Sequence, residues 1–434
     1  MTADDILKQV ARDGIETIRV VFPDPHGVLR GKTVTARALP GVLAEGLRVP
    51  STLLLKDVSH RTAFPVWADE DAPMRGASDV TLRPDPSTFR KIPWSPQSAM
   101  MHCDVESPFC ARGILRRGEE ALAEKGLRAT MGVEIEFQVF RVLDPSLAPE
   151  QSTMPGAPPQ VENTTQGYQY LTETRYAEVE PMLDRLRRGA EEMGIDVRSV
   201  EVEMGPSQYE VTFAPGPPSQ VAEQAVNFRM LAKALSHRHG MLASFMPKPA
   251  LPNAVANGWH IHQSLSPDFN APHWIAGLLR HGPACALLTN PTVNSYKRFT
   301  PYQLAPTRVG WARDNRGAMV RALDGRVENR LPDSAANPYL ALAAQLIAGL
   351  AGLDAAQDPP PEMDDPYGGP DGGEAPALPA SLGEAIGAFA ASETLRASLT
   401  PEVHDWLIQL KRHEWDRYLA HISDWEQTEY FANL

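Results

Sequence analysis

Apolar positions recur along this chain with two periods. Residues 3–12 repeat them at helical spacing, which predicts a short helix. Ile18, Val20 and Phe22 then fall at every second position, the period of a strand with one buried face. Asp24-Pro25-His26-Gly27 turns the chain into a second strand, predicting a hairpin with a longer loop. Strand-like, turn-rich sequence runs to about residue 95 and ends in the Pro-rich stretch 90–97. Beyond it the pattern predicts a helix over 113–126 closed by Gly126, and a strand over 129–140. Residues 143–167 are Pro-rich and polar and read as a long surface loop. Helices are expected at 179–194, 220–239 and 274–288, and a strand at 197–204. Residues 336–353 form an almost wholly apolar helical run, the signature of a buried helix. The Pro-, Gly- and Asp-rich stretch 355–382 reads as a flexible excursion, and the tail is expected to pack through Trp406, Leu407, Leu410, Tyr418, Leu419 and Ile422.

Length changes this picture first. A chain of 434 residues exceeds one ordinary core, so a small domain plus a large one is expected, divided into 1–103 and 104–434. The fold class is α+β. The formal net charge of −13 argues against general binding to nucleic acid or to an anionic membrane. Cys103, Cys110 and Cys285 match neither a CxxC nor a zinc spacing, so reduced thiols and a cytoplasmic location are expected. The N-terminal segment is charged and helical, unlike a secretory signal, and no apolar run has the length expected of a membrane span.

The informative segments alternate charge with apolar residues. Positions i and i+2 of a strand share a face. Glu134-Ile135-Glu136 therefore puts two carboxylates on one face, with Val133, Ile135 and Phe137 on the other. Glu201-Val202-Glu203 repeats the arrangement, and Glu210 follows a turn at Gly205-Pro206-Ser207. His260 and His262 share a face, as do Arg326, Glu328 and Arg330. Taken singly, each is most simply an edge strand with a solvated face. Taken together, their apolar backs suit one sheet that turns its charges toward a shared cavity. Several carboxylates there would repel one another unless cations sat among them. Oxygen ligands with one histidine suit Mg²⁺ or Mn²⁺ better than structural zinc.

Arg298, Arg316, Arg321, Arg326 and Arg330 lie in one stretch with Glu328. Cations around metal-binding carboxylates are what phosphoryl transfer from ATP requires. There is neither a GxxxxGK[ST] loop nor a protein-kinase motif set.

In order along the chain, RVVFPDPHGVLRGKTV, GVEIEF, EMGPSQYEV, FMPKP, NGWHIHQSL, NPTVNSYKRF, DNRGAMVR and RVENRLPDSAANPYLALAAQLIAGL resemble the glutamine synthetase family. The resemblance implies a small N-terminal β-grasp domain and a large catalytic domain with a curved antiparallel sheet flanked by helices. It implies a two-step ligase in which ATP phosphorylates the γ-carboxylate of glutamate and an amine then displaces phosphate. Two or more divalent metals per site are implied. Glu136, Glu203 and Glu210 would hold one near glutamate, and Glu134, His260 and Glu328 another on the ATP phosphates. Arg316 would stabilise the transferring phosphoryl group. Arg321, Arg326, His262 and Ser264 would bind ATP, and Glu136, Gly258, Arg298 and Arg330 glutamate. A homo-oligomer of two stacked six-membered rings is implied, with one chain's N-terminal domain closing its neighbour's site.

Departures narrow the reading. NGWHIH is two residues shorter than the family's usual glycine-bearing segment, leaving Gly258 as the glutamate-loop glycine. The run ExGPSQYE resembles the glutamate–amine ligase branch. In KRFTPYQLAP, Leu304 stands where the family places an ammonium-site glutamate, and Asp57 is the candidate for the N-terminal aspartate of that site. Tyr367 lacks the sequence context of the family's adenylylated tyrosine. The expectation is a γ-glutamyl amide from glutamate and a hydrophobic, aromatic or alkyl, amine. A true glutamine synthetase using ammonium and an inactive structural homologue are the alternatives.

Overall fold

Thr2 starts the first helix. Its hydroxyl accepts from the Asp5 backbone while the Asp5 carboxylate accepts from the Thr2 backbone, a reciprocal cap on α1 (Ala3–Arg12). The computed structural model describes residues 2–64, 78–300, 303–363, 365–367 and 375–434. The expected hairpin follows: β1 (Thr17–Pro23) pairs antiparallel with β2 (Leu29–Thr35), and Ile18, Val20 and Phe22 are wholly buried. Next come α2 (Leu39–Glu45), β3 (Leu47–Pro50), β4 (Asp79–Pro84), β5 (Arg90–Ile92) and β6 (Ser95–Val105). They form a sheet in the order β2-β1-β6-β4-β3, with β5 on β6 and the β1–β6 pair parallel. The expected division after residue 103 falls within β6, and residues 65–77 of the strand-and-turn run lie outside the described residues.

The larger part begins with α3 (Ala111–Glu124) and the long β7 (Arg128–Val142). It continues through β8 (Val161–Asn163), α4 (Glu173–Glu192), β9 (Val197–Val202), β10 (Gln208–Phe213), α5 (Pro218–Arg238) and β11 (Met241–Ser244). Then follow β12 (Trp259–Ser266), α6 (Ala271–Thr289), β13 (Trp311–Arg313), β14 (Val320–Leu323) and β15 (Arg326–Asn329). The sheet runs β13-β14-β15-β12-β7-β10-β9, with β8 and β11 also on β7. Among the described residues its pairings are antiparallel except β13 with β14. Val133, Ile135, Phe137 and Val139 of β7 are at most 2% exposed and face the core, where Phe137 meets Phe228 of α5 edge-on at 5.5 Å. Alternation therefore aims Glu134 and Glu136 at the opposite face.

The apolar run forms α7 (Pro338–Ala355), packed chiefly on α6. A Cβ on Gly277 would lie 2.1 Å from the Ala348 carbonyl oxygen, so this close approach requires glycine. By length and hydropathy α7 could cross a bilayer, but 78% of it is buried inside the protein.

The chain closes with α8 (Leu382–Ala390), α9 (Glu393–Leu399), α10 (Pro401–Leu419) and α11 (Asp424–Tyr430). Trp406, Leu407 and Leu410 are buried as expected. Tyr418, Leu419 and Ile422 are not: they are 41%, 62% and 72% exposed. The last fully buried position of α10 is Lys411; beyond it Trp415 still packs beside Gly383 of α8, and the apolar positions after Trp415 are left exposed. The loop 143–167 carries a helical turn and β8, which joins the sheet. Positions 364 and 368–374 of the expected excursion lie outside the described residues, but its described parts are tied back. Met363 N–H donates to the Trp311 carbonyl at 2.9 Å, and Val309 N–H to that of Pro376 at 2.8 Å.

Candidate active site

Strand register brings the charged faces together. On β7, Glu134 lies opposite His260 of β12, and Glu136 opposite Glu210 of β10. Glu210 in turn lies opposite Glu201 of β9, and on the other side Glu328 of β15 lies opposite both His262 and Arg321. Residues from six strands thus share one face of one sheet.

The side chains converge. Glu134 bridges two imidazoles, with oxygens 3.0 Å from His260 Nδ1 and 2.9 Å from His262 Nε2. His260 Nδ1 is also 3.8 Å from Glu328 Oε1, and its Nε2 is 3.9 Å from Glu136 Oε1. Among the described residues three groups present donor atoms within 4.8 Å of one another: Glu134, His260, Glu328; Glu136, Glu210, His260; and Glu201, Glu203, Glu210. The first is the set expected for one metal. The other expected set, Glu136, Glu203 and Glu210, is divided between the second and third groups through their shared member Glu210. Glu201 is the residue that sequence reasoning passed over as a ligand candidate, although the Glu201-Val202-Glu203 alternation marks it.

Electrostatics set the character of this face. Burial and the charge of Glu136 push Glu210 strongly up, and burial and Glu136 do the same to Glu203. Like charges 4 Å apart repel by roughly 4 kcal/mol at an effective dielectric of 20. At the other end, burial opposes ionisation of Glu134, but hydrogen bonds from His260 and His262 outweigh it and lower its carboxyl. Carboxylates with one shared imidazole fit hard divalent cations, which would relieve the crowding of Glu136, Glu203 and Glu210.

Arginines brace the row. Glu328 is wholly buried, and its oxygens receive Arg330 Nη1 and, at 3.0 Å, Arg321 Nη1. Arg330 Nε donates to the Arg316 carbonyl at 2.8 Å, while the Arg316 side chain stays exposed. Arg326 Nε lies 3.3 Å from His262 Nδ1. Ser264 sits two residues beyond His262 on the same face of β12. Arg298 is buried and donates to the Leu331 carbonyl at 2.8 Å. Gly258 closes this corner: a Cβ there would lie 2.9 Å from His260 Nε2 and 3.3 Å from Arg298 Nη2.

Two expected residues make no hydrogen bond or ion pair with the row among the described residues. Asp57 is buried, with its carboxylate ion-paired to Arg417 of α10, 3.5 Å from His413 Nε2 and accepting the Arg61 N–H at 2.8 Å. None of these contacts is with the carboxylate row. Leu304 is 49% exposed with a left-handed φ of 55°, and its backbone lies beside the Tyr367 phenol.

Residues 108–430 match the family model described as glutamine synthetase, catalytic domain. The chain belongs to the glutamine synthetase family. It is 34% identical to a γ-glutamylanilide synthase from Acinetobacter sp, over 100% of this chain and 96% of that protein. It is 30% identical to a glutamate–methylamine ligase from Methyloversatilis universalis, over 99% of both. The solved structure of GmaS without ligand superposes with a TM-score of 0.84 at 28% identity, over 98% of this chain and 99% of that one. The α+β fold and the family expected from the sequence are thereby borne out, and with them the ligase class that uses ATP and divalent metals.

Proposed function

We propose that this enzyme is an ATP-dependent glutamate–amine ligase that makes a γ-glutamyl amide from glutamate and an organic amine with a hydrophobic body. The observation that carries the reading is the one-faced row of Glu134, Glu136, Glu203, Glu210, His260 and Glu328 with arginines at its edge. Relatives of nearly full length that are named for anilide and methylamine products support the amine class.

Two or more Mg²⁺ or Mn²⁺ ions would be held by Glu134, His260 and Glu328 and by Glu136, Glu203 and Glu210, and when bound they neutralise phosphate and carboxylate charge. Arg298 and Gly258 bind and orient glutamate, with Arg330 beside them. Arg321, Arg326, His262 and Ser264 flank the nucleotide, and Arg316 steadies the phosphoryl group in flight. A γ-carboxylate oxygen bonds to the terminal phosphorus of ATP as ADP leaves. The amine nitrogen then attacks the acyl carbon, phosphate leaves, and the nitrogen gives up a proton. Leu304 offers the amine apolar surface where an ammonium site would need charge.

We further propose the division into a β-grasp domain, 1–103, and a catalytic domain, 104–434, acting as a cytoplasmic dodecamer of two stacked hexameric rings. In it Asp57 would serve a neighbour's amine site. The exposed Trp425, Phe431 and Leu434 at the C-terminus supply apolar contact surface.

Phosphate release with glutamate, ATP and a panel of ammonium, alkylamines and anilines tests the reading. Turnover should be metal-dependent and favour an organic amine. Preference for ammonium above all others returns the enzyme to glutamine synthesis, and no turnover with any amine returns it to a structural role.

A further inference from the structure

A polar recess of about 350 Å³ lies away from the carboxylate row, where the turn before β5 meets α3, α5 and the first turn of α7. Its wall includes Asp85, Arg90, Arg112, Arg116, Glu223 and Tyr339. Arg112 is committed there: it donates to Asp85 at 2.7 Å and to Asp104 at 2.9 Å.

Three groups in the wall have bonding capacity left over. The Glu223 side chain is only 15% exposed and accepts no hydrogen bond from the described residues, with Arg90 Nη2 held off at 4.0 Å. Burial pushes its carboxyl up to about 7. Arg116 uses Nη2 alone, on Asp104 at 2.7 Å, which leaves Nε and Nη1 for an acceptor. The Tyr339 hydroxyl, on a residue 1% exposed, sits beside Arg112 without a formed hydrogen bond. A buried carboxylate short of a donor is costly to leave unmatched, and Arg116, its side chain 47% exposed, has donors on the same wall that are free to take an acceptor. A simple anion would meet Asp85 and Glu223, and a simple cation would meet three arginines. Only a ligand with both charges answers both ends.

We propose that this recess binds a free α-amino acid, its ammonium on Glu223 and its carboxylate on Arg116, with the Tyr339 hydroxyl as a third polar contact. The occupant would tie the turn before β5 to α5 and α7. None of these residues belongs to the catalytic row.

The test is calorimetric titration of the full assembled enzyme, with ADP and glutarate, a diacid without an ammonium for Glu223, saturating the catalytic site. L-alanine and L-glutamine are the probes. Propionate, ethylammonium and inorganic phosphate are the controls. One zwitterion per chain should bind, and E223Q and R116Q should each weaken it by about tenfold, the loss of a charged hydrogen bond. Turnover and thermal midpoint should stay near wild type in both variants, which separates loss of ligand from loss of fold. The proposal is overturned if neither amino acid binds, if binding survives both substitutions, or if phosphate binds in their place.

Discussion

Gly258 and Glu136 are bonded to each other twice. The Gly258 N–H donates to Glu136 Oε2 at 2.7 Å, and the Glu136 N–H donates to the Gly258 carbonyl at 3.1 Å. One contact orients the carboxylate and the other fixes the strand that carries it. Gly258→Ala would place a methyl group 2.9 Å from His260 Nε2 and 3.2 Å from Glu136 Oε1. The expected result is a fall in kcat of about 100-fold, the scale of an ångström-sized misplacement in an active site, with the fold retained by circular dichroism. Wild-type kcat in this variant would remove Gly258 from the site.

Glu328 is the buried anion that Arg321 and Arg330 share. Glu328→Ala leaves two guanidiniums without their carboxylate, which costs about 3–5 kcal/mol when one partner of a buried pair is removed. Chemical denaturation should report that loss, and γ-glutamyl phosphate formation should be abolished.

Metal removal acts on the same row from outside. With Glu136, Glu203 and Glu210 crowded together, a divalent ion bound there would stabilise the folded state by mass action, about 2.7 kcal/mol at 100 times its dissociation constant. EDTA should lower the thermal midpoint and Mg²⁺ or Mn²⁺ restore it. His260→Ala should blunt that response, and an unchanged response would take His260 out of the ligand set.

Leu304 tests the amine. Ammonium is a cation that must be attracted and then deprotonated, and leucine does neither. An organic amine gains about 25 cal/mol for each Å² of apolar surface removed from water. Leu304→Glu should shift kcat/KM toward ammonium and away from aryl and alkyl amines. Equal ratios in wild type and variant would show Leu304 to be mere packing.

His102 ties stability to pH. It is wholly buried, its Nε2 donates to Asn227 at 2.8 Å, and burial, chiefly, lowers its pKa to about 4 from the ordinary 6.5. Between these values the unfolded chain binds the extra proton, so stability falls as pH drops from 6.5 toward 4, by about 3 kcal/mol in total. His102→Gln should flatten this part of the stability curve measured by denaturant titration. The same slope in both proteins would assign it to other groups.

Assembly can be weighed directly. Sedimentation velocity should give a particle of twelve chains, and truncation before Asp424 should weaken contact between rings. A fully active monomer would rule out a site completed by a neighbour.

Much of this site was legible in local alternation. Residues i and i+2 share a strand face whatever the tertiary structure, so Glu134 with Glu136 and His260 with His262 could be paired by reading alone. The apolar partners Val133, Ile135 and Phe137 told which face was buried. What alternation cannot give is register between strands far apart in sequence. That Glu210 faces Glu201 as well as Glu136, drawing Glu201 into the cluster, depends on hydrogen bonding between β9 and β10. Asp57 shows the same limit: its charge was visible, but its partner Arg417 lies 360 residues away. The tail shows the converse. Tyr418, Leu419 and Ile422 carry helical periodicity, yet a pattern states only that a face wants cover, and whether cover exists is decided by what the rest of the chain leaves within reach.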